Sequence, residues 1–442
     1  MLIGTCKGRS ILFYNDFAGN HNMYSLVTIM NNRQLFSSPL YGEIMLEKLL
    51  NHDLWLEFLN EKLKNEYLSN NNKKIFSAFI NNKEYLTIAR GIIDNTYVFS
   101  IPKKHVISKH KNNKKRIVYN YSKDEMIILK YIGWCLNQYD YLFSNNLYSF
   151  RKNNGVKLAI KKLSHIKTLH GMYGYKLDIS NYFNSIYVDR LLKNLKEDVD
   201  LDIYTLIHNL LKQDYVEFHD ELIKEEKGVM AGQPLSGFLA NYYIKDIDKL
   251  FENKGILYLR YADDIILFAN TAQDIEKYEQ LLKEQLSSYG LIINPEKEEH
   301  YLPGESFNFL GFEFNKDSID ITNHAVDKMK SKIKRKANRL RLWARSNNLS
   351  YEKALKAMIK IYNIKFFGKS NEELSWQYWF FPYITSSNKL KIIDQYLEQE
   401  LRYIVTGKHN KMNYKKVPYE KLKENGYRSL VNEYYSFHNS KQ

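Results

Sequence analysis

The stretch GILYLRYADDIILFAN, Gly255 to Asn270, limits what this chain can fold into more than any other segment. Ile256–Arg260 and Ile265–Ala269 are apolar runs too short for helices, and they read as two strands. The link between them is Tyr261-Ala262-Asp263-Asp264, so the hairpin carries two adjacent carboxylates at its tip. Such charges repel unless something neutralises them, and Mg²⁺ does so well because it takes hard carboxylate oxygens together with substrate phosphates. A double-Asp turn also occurs with no function, so the pair alone decides nothing. Asp178, in YKLDISNYFNSI, ends another apolar strand ahead of a helical stretch. Three carboxylates on neighbouring strand ends hold two metals about 3.5–4 Å apart. The plainer role for Asp178 is a helix N-cap.

The surrounding pattern is mixed. Tyr41 to Asn70 has a helical period, Asn70 to Lys74 is a polar break, and Leu86 to Ile101 reads as short strands. Lys111 to Asn120 is a basic hairpin arm, Glu125–Phe143 and Val156–Thr168 are helical, and Tyr175–Ile179 is a strand. Val188–Leu211 gives two helices, and Pro234 opens another through Leu250. Ala272–Ser288 is an amphipathic helix, Leu291–Ile293 and Phe307–Phe314 are strands, and the chain past Asn323 is helical and basic. A strand-rich centre between helical flanks predicts an α+β fold.

Charge follows the same division. The net charge is +1 over 1–100, +12 over 101–170, −13 over 171–320 and +15 over 321–442. An acidic centre between basic flanks suits a clamp on a polyanion with metal-binding carboxylates in the middle. Solvated helix faces give a similar pattern. No apolar run is long enough for a membrane span, no signal-peptide order is visible at the start, and two cysteines make neither a disulfide framework nor a zinc cluster. The expected compartment is the cytoplasm.

Taken in order, these segments resemble the reverse transcriptases. Tyr261-Ala262-Asp263-Asp264 is similar to that family's Y-x-D-D signature, and Asp178-Ile179 with Tyr182-Phe183 to its first catalytic motif. GVMAGQPLSGFLANYY (Gly228–Tyr243) resembles the Gly-x-Pro-x-Ser element, GLIINPEKEEH (Gly290–His300) the lysine-bearing segment, and NFLGFEF (Asn308–Phe314) the primer-grip hairpin. Upstream, KNNKKRIVYNYSKDEMI resembles the fingers motif that places Lys and Arg on the triphosphate, and LYSFRKNNGVKLAI resembles the following motif of group II intron and retron-like enzymes. The C-terminal tail resembles bacterial abortive-infection and other defence-associated, "unknown group" enzymes.

The resemblance implies a right-hand polymerase: an N-terminal extension and start of fingers over 1–100, fingers over 101–170, an antiparallel palm with the YADD hairpin over 171–320, and a helical, basic thumb and C-terminal region over 321–442. It implies RNA-directed DNA synthesis from dNTPs on a primer 3′-hydroxyl, with two Mg²⁺ or Mn²⁺ ions held by Asp178, Asp263, Asp264 and the backbone of Ile179. Lys115, Arg116, Phe183, Gly232, Gln233 and Lys297 would bind the nucleotide, Phe183 excluding a 2′-hydroxyl by clash. Arg151, Tyr261, Phe309, Leu310, Gly311, Lys332, Lys334, Arg335 and Lys336 would bind nucleic acid. Many relatives carry Gln just before the motif glycine. Ala231 stands there instead, and Gln233, just after Gly232, is the candidate substitute. The implied partners are an RNA template, taken as a structured non-coding RNA, and a DNA product, with antiphage defence as the setting and no membrane involved. The alternatives are an RNA-dependent RNA polymerase and a catalytically silent nucleic-acid-binding protein. Phe183 and the Tyr-Ala-Asp-Asp tip weigh against the first, and retention of all three carboxylates against the second.

Overall fold

A computed structural model of the chain describes residues 2–6, 9–13, 45–64, 70–108, 115–213, 215–225, 228–368 and 375–440. It divides into two units, Met1–Met45 and Leu46–Gln442. In the first, β1 (Leu2–Cys6) pairs antiparallel with β2 (Arg9–Phe13).

The second unit begins with helices α1 (His52–Lys64), α2 (Asn70–Asn81) and α3 (Tyr85–Ile93). Two expectations fail here. The polar Asn70–Lys74 stretch is the first turn of α2, whose later residues Phe76, Phe79 and Ile80 are buried. Leu86–Ile101 is not strands: its first part is α3, because Tyr85, Ala89 and Ile92 fall on one face at helical spacing and bury there. Tertiary burial outweighs the strand preference of the β-branched residues.

β3 (Lys103–Ser108) and β4 (Lys115–Asn120) form the expected hairpin arms. Helix α4 (Lys123–Cys135) starts with a capping box, Ser122 and Glu125 each satisfying the other's backbone N–H. Rings from three helices stack inside it: Tyr85 on Trp55 at 4.3 Å, Trp55 on Tyr131 at 3.8 Å, and Tyr131 beside Trp134 at 5.8 Å. α5 (Val156–Ser164), β5 (Tyr173–Asp178), the single turn α6 (Tyr182–Ser185), α7 (Val188–Asp198) and α8 (Leu201–Leu211) follow. β6 (Tyr215–Phe218) and β7 (Glu221–Lys224) then return to extend the first arms, giving a sheet ordered β4-β3-β6-β7. The helix expected from Pro234 through Leu250 is two: α9 (Ser236–Tyr243) and α10 (Lys245–Asn253), broken at Ile244.

The central sheet is antiparallel. β8 (Leu257–Tyr261) and β9 (Asp264–Ala269) are the hairpin read from the sequence, and α11 (Ala272–Ser288) follows with the bounds expected. With β10 (Glu299–Tyr301) the order is β10-β5-β9-β8. The strand expected at Leu291–Ile293 is reduced to one bridge, Ile293 to Ile179. β11 (Phe307–Phe309), β12 (Phe312–Asn315) and β13 (Ser318–Ile321) make a second small antiparallel sheet. The long helix α12 (Asn323–Ser346) is capped by the Thr322 side chain and packs on α13 (Tyr351–Phe367). Val326, Met329, Ile333 and Ala337 form its buried stripe, so its lysines and arginines are left to the other face. This is the α+β architecture expected, with antiparallel strands and a helical C-terminal part.

One buried ion pair lies beneath the central hairpin. Arg260 and Asp248 are both fully buried and meet through two parallel bonds, one from Nε at 2.7 Å. The guanidinium also donates to the Ala262 and Asn241 carbonyls, and the Tyr258 hydroxyl donates to Asp248 at 2.8 Å. Removing one partner of such a pair leaves an uncompensated charge in the core. Arg260→Met and Asp248→Asn are each expected to lower the unfolding free energy by about 3–5 kcal/mol in urea denaturation.

Candidate active site

The site is built by strand register. β5 runs antiparallel to β9 with Asp178 directly opposite Asp264, and Tyr261 lies opposite Asp264 on β8. Directly opposed residues bring their Cβ atoms to about 4.5–5.5 Å. The Ile179 N–H donates to the Asp263 carbonyl at 3.0 Å, which ties the end of β5 to the hairpin tip. Ile179 is buried and apolar, so its carbonyl is the one group it has for a cation. Ala262 holds φ +57°, an uncommon backbone conformation for a residue with a Cβ. Its N–H donates to Ser149 Oγ at 2.8 Å, and Ser149 is held by Asn241. The tip is thus fixed by Ser149, Asn241 and Arg260, none of which the sequence motifs single out.

Electrostatics show what the tip lacks. Burial first, then the charges of Asp263 and Asp178, push the Asp264 carboxyl up to about 6. Lys297, from the loop before β10, donates to Asp178 Oδ2. Burial works against the charge on that ammonium, yet Asp178, Asp264 and Asp263 together raise its pKa. Carboxylates gathered at one end of a strand pair are a donor type that suits a hard divalent cation, since each added positive charge relieves the repulsion that raises Asp264. Among the described residues, the group whose donor atoms all lie within 4.8 Å of one another is not this one but Glu279, Glu298 and His300. There Lys283 already pairs with both glutamates.

The other expected residues separate into those near the tip and those elsewhere. Gly232 holds φ +105°, and a Cβ there would meet the Val118 Cβ at 3.1 Å. Its loop lies against β4 through the Tyr119 N–H to the Ala231 carbonyl, so glycine is required by the loop's own packing. Gly228 is tighter still: a Cβ would come within 2.5 Å of the Phe183 carbonyl. Phe183 is half-buried, edge-on to Phe150 at 6.0 Å, and lines a cavity with Gly232 and Gln233. Lys115 and Arg116 pair with Ser108 and Ile107 in the hairpin, and their side chains lie outside the described residues.

Arg151 does not reach this site. It is buried and grips Asp140 with Nε and Nη2, each at 2.7 Å, and its Nη1 donates to the Ser144 and Leu147 carbonyls. A guanidinium whose donors are all committed inside the protein, Nη2 reaching the Asp140 carbonyl as well, is a clamp in the core and not a ligand for a strand. Phe309 is likewise core, 1 % exposed. Leu310 and Gly311, at φ +50° and +90°, form the half-buried turn between β11 and β12, with Leu310 packed against the same core. Tyr261 packs partly buried against the same core. Along α12, Lys332, Arg335 and Lys336 line a groove of about 270 Å³ with Arg339 and with Lys365 of α13, whereas exposed Lys334 is not on its wall. Lys365 is brought in by the pairing of α12 with α13, which the sequence pattern does not show.

Residues 101–314 match the family described as reverse transcriptase (RNA-dependent DNA polymerase). That span of the chain is similar to a reverse transcriptase domain. Its family reaction class is RNA-directed DNA polymerase, a nucleotidyltransferase. Among solved structures the chain is similar to apo telomerase from Candida tropicalis, at 15% identity and a TM-score of 0.46, covering 74% of this chain and 59% of that one. It is similar also to that telomerase truncated from its C-terminal domain, at 15% identity and a TM-score of 0.40, covering 51% of this chain and 55% of that one. The chain thus spans less than two thirds of the length of either telomerase chain. No curated protein matches. The matched span holds the whole carboxylate tip and stops short of α12. Among the described residues, no helix is long and apolar enough to cross a membrane.

The raised Asp264 carboxyl sets a pH dependence. A carboxyl raised in the fold binds more protons folded than unfolded between pH 3.8 and about 6, so the metal-free protein loses stability as pH rises through that window. The loss amounts to roughly 3 kcal/mol above pH 6. Asp264→Asn is expected to raise Tm without metal at pH 7, and to flatten the decline of Tm between pH 4 and 6. Added Mg²⁺ should raise the Tm of the parent more than that of the variant.

Proposed function

We propose that the whole protein is an RNA-directed DNA polymerase that extends a primer 3′-hydroxyl with dNTPs at Asp178, Asp263 and Asp264. The observation carrying this is the register that sets Asp178 against Asp264, with Asp263 tied to Ile179, inside the span that matches the reverse transcriptase family. Two Mg²⁺ or Mn²⁺ ions, when bound, supply charge for the attacking and leaving oxygens. The chain's own part is to hold three carboxylates in place against their repulsion. Lys297 is placed to release Asp178 to a cation and to turn its ammonium toward leaving pyrophosphate. Phe183, half-exposed behind the tip, bars a 2′-hydroxyl. Leu310 and Gly311 meet the primer end, while Lys115 and Arg116 are assigned to the triphosphate on the family resemblance. The division into fingers, palm and thumb belongs to the same reading, with β6–β7 as the part of the palm interval that joins the fingers sheet.

The finer setting rests on the C-terminal resemblance: bacterial antiphage defence in the cytoplasm, with a structured non-coding RNA as template. Phage plaquing on cells carrying the parent or Asp263→Asn tests it. Equal plaquing on both would remove the defence role and leave the polymerase intact.

Asp263→Asn is expected to cut primer extension at least about 100-fold, the loss of several kcal/mol of charge stabilisation, with thermal unfolding and RNA binding near those of the parent. Phe183→Val is expected to raise the rNTP-to-dNTP ratio of kcat/KM about tenfold. The α12–α13 groove should hold a strand by its phosphates. Replacing Lys332, Arg335, Lys336 and Lys365 with Gln should reduce the salt slope of binding by roughly 0.7–0.9 for each phosphate that is no longer neutralised. Lys334→Gln alone should change it least.

A further inference from the structure

Phe150 combines properties that an ordinary core phenylalanine does not. It is 55 % exposed, so burial is not what selects it. Its φ is +52°, an outlier for a bulky residue. Its ring is nonetheless confined. On α9, a Cβ at Gly237 would meet Phe150 Cγ at 2.7 Å and its Cβ at 3.0 Å, so a glycine is what lets the helix run against it.

Backbone strain of this kind persists only where the surroundings over-determine it. Here both chain neighbours are pinned. The Ser149 hydroxyl accepts from the Ala262 N–H and donates to Asn241 Oδ1, and the Ser149 carbonyl accepts from Asn241 at 2.7 Å. Arg151 spends its guanidinium on Asp140 and on the Ser144 and Leu147 carbonyls. Just before them the chain runs alongside β8: the Tyr148 N–H donates to the Arg260 carbonyl, and the Arg260 N–H to the Asn146 carbonyl, at 2.9 Å each. The segment that braces the carboxylate tip therefore also fixes Phe150.

What the ring meets is Phe183. The two lie edge to face, with centroids 6.0 Å apart and planes at 86°, within the favourable range for an aromatic pair. The Phe183 backbone is clamped, since its carbonyl accepts from the Val229 N–H at 2.9 Å and Gly228 presses against it. The side chain is held less firmly. Phe183 is half-buried, and among the described residues its ring partners are Tyr182, the residue before it, at 5.9 Å, and Phe150. Tyr182 is buried, with its hydroxyl on the Ala240 carbonyl. Phe150 is thus the ring from another segment that limits how far the Phe183 side chain swings. Both rings line one cavity of about 820 Å³, together with Gly232 and Gly237.

We propose that Phe150 determines nucleotide specificity as a positioning residue: it backs the Phe183 ring and so sets the room left for the 2′ substituent of an incoming nucleotide. The inference rests on the polymerase reading above and deepens it, because the barrier to a 2′-hydroxyl then belongs to a pair of rings and not to Phe183 alone. A hydrophobic wall that yields by about one methylene gives up roughly tenfold in discrimination, so a barrier ring is only as selective as its support. This role accounts for an exposed aromatic held in a strained backbone, which core packing does not.

The test is nucleotide binding without bond formation. Full-length protein is loaded with a DNA primer ending in a dideoxynucleotide on an RNA template. The next correct dNTP or the matching rNTP is then titrated in with Mg²⁺ and followed by calorimetry. The parent is expected to bind the dNTP about tenfold more tightly. Phe150→Leu keeps a Cβ, and with it the same backbone strain, but removes the ring. It should leave dNTP affinity near that of the parent and cut the dNTP preference about threefold, the share of an edge-to-face pair. Phe150→Tyr, which keeps the ring, should keep the ratio. In the Phe183→Val background Phe150→Leu should change the ratio no further, since a residue that acts through Phe183 has nothing left to position. Were Phe150 only packing, Phe150→Leu would weaken both nucleotides alike and keep the ratio, and the proposal falls. It falls also if Phe150→Leu lowers the ratio equally with and without Phe183→Val, or if the parent shows no preference or binds neither nucleotide. Should the parent hold its preference yet fail to extend the same primer with a free 3′-hydroxyl, the polymerase reading fails while the role of Phe150 in choosing the nucleotide stands.

Discussion

The buried pair of Arg260 and Asp248 is the interaction on which the β8–β9 hairpin depends. Neither group reaches water, so each is tolerable only because the other is held against it. The pair joins α10 to β8, and the same guanidinium reaches forward to the Ala262 carbonyl at the tip. Ala262 sits in a backbone conformation that a residue with a Cβ avoids. Ser149 accepts from its N–H and Arg260 donates to its carbonyl, while Asn241 bonds to both of these residues and holds them in place, and this is how the strain is held in the folded state. The two aspartates that follow are positioned by a core, not by a flexible loop.

That rigidity explains why like charges are gathered at all. Opposed residues on paired strands cannot move apart without breaking the ladder, so Asp178 and Asp264 stay together despite their repulsion. The raised Asp264 carboxyl is the trace of that conflict, and Lys297 relieves it in part from an exposed, movable side chain. The same hairpin is therefore a point of weakness for the fold while its carboxylates stand unneutralised.

Around this centre the cations fall into two separate groups with different surroundings. Those of α12 and α13 line a groove beyond the span that matches the reverse transcriptase family. Those of α1 and α4, with Lys62 over Phe58 and Lys130 over Phe76, line a cavity walled also by Phe183 and Gly232. Arg151, equal to them in charge, belongs to neither, because Asp140 and three backbone carbonyls consume its donors. Charge counted along the chain finds the basic segments. It does not tell which cations are spent inside the protein.

The sequence alone determined the β8–β9 hairpin and its acidic tip, because apolar runs that short can only be strands and a polar turn must join them. It determined α11 and the basic face of α12, since helical spacing places both stripes regardless of partner. Motif order also named Asp178 as the third carboxylate. Local pattern failed where burial chose the structure. The β-branched run after Tyr85 became helix α3, β6–β7 crossed to join β3, and Phe309 turned into the core while its neighbours Leu310 and Gly311 made a half-buried turn. The partner of Arg260, the meeting of Phe150 with Phe183 and the lysines gathered from α1 and α4 were likewise decided only by tertiary structure. Their meaning depends on which groups are near one another and out of water, and neither distance nor dielectric is a property of a residue's place in the chain.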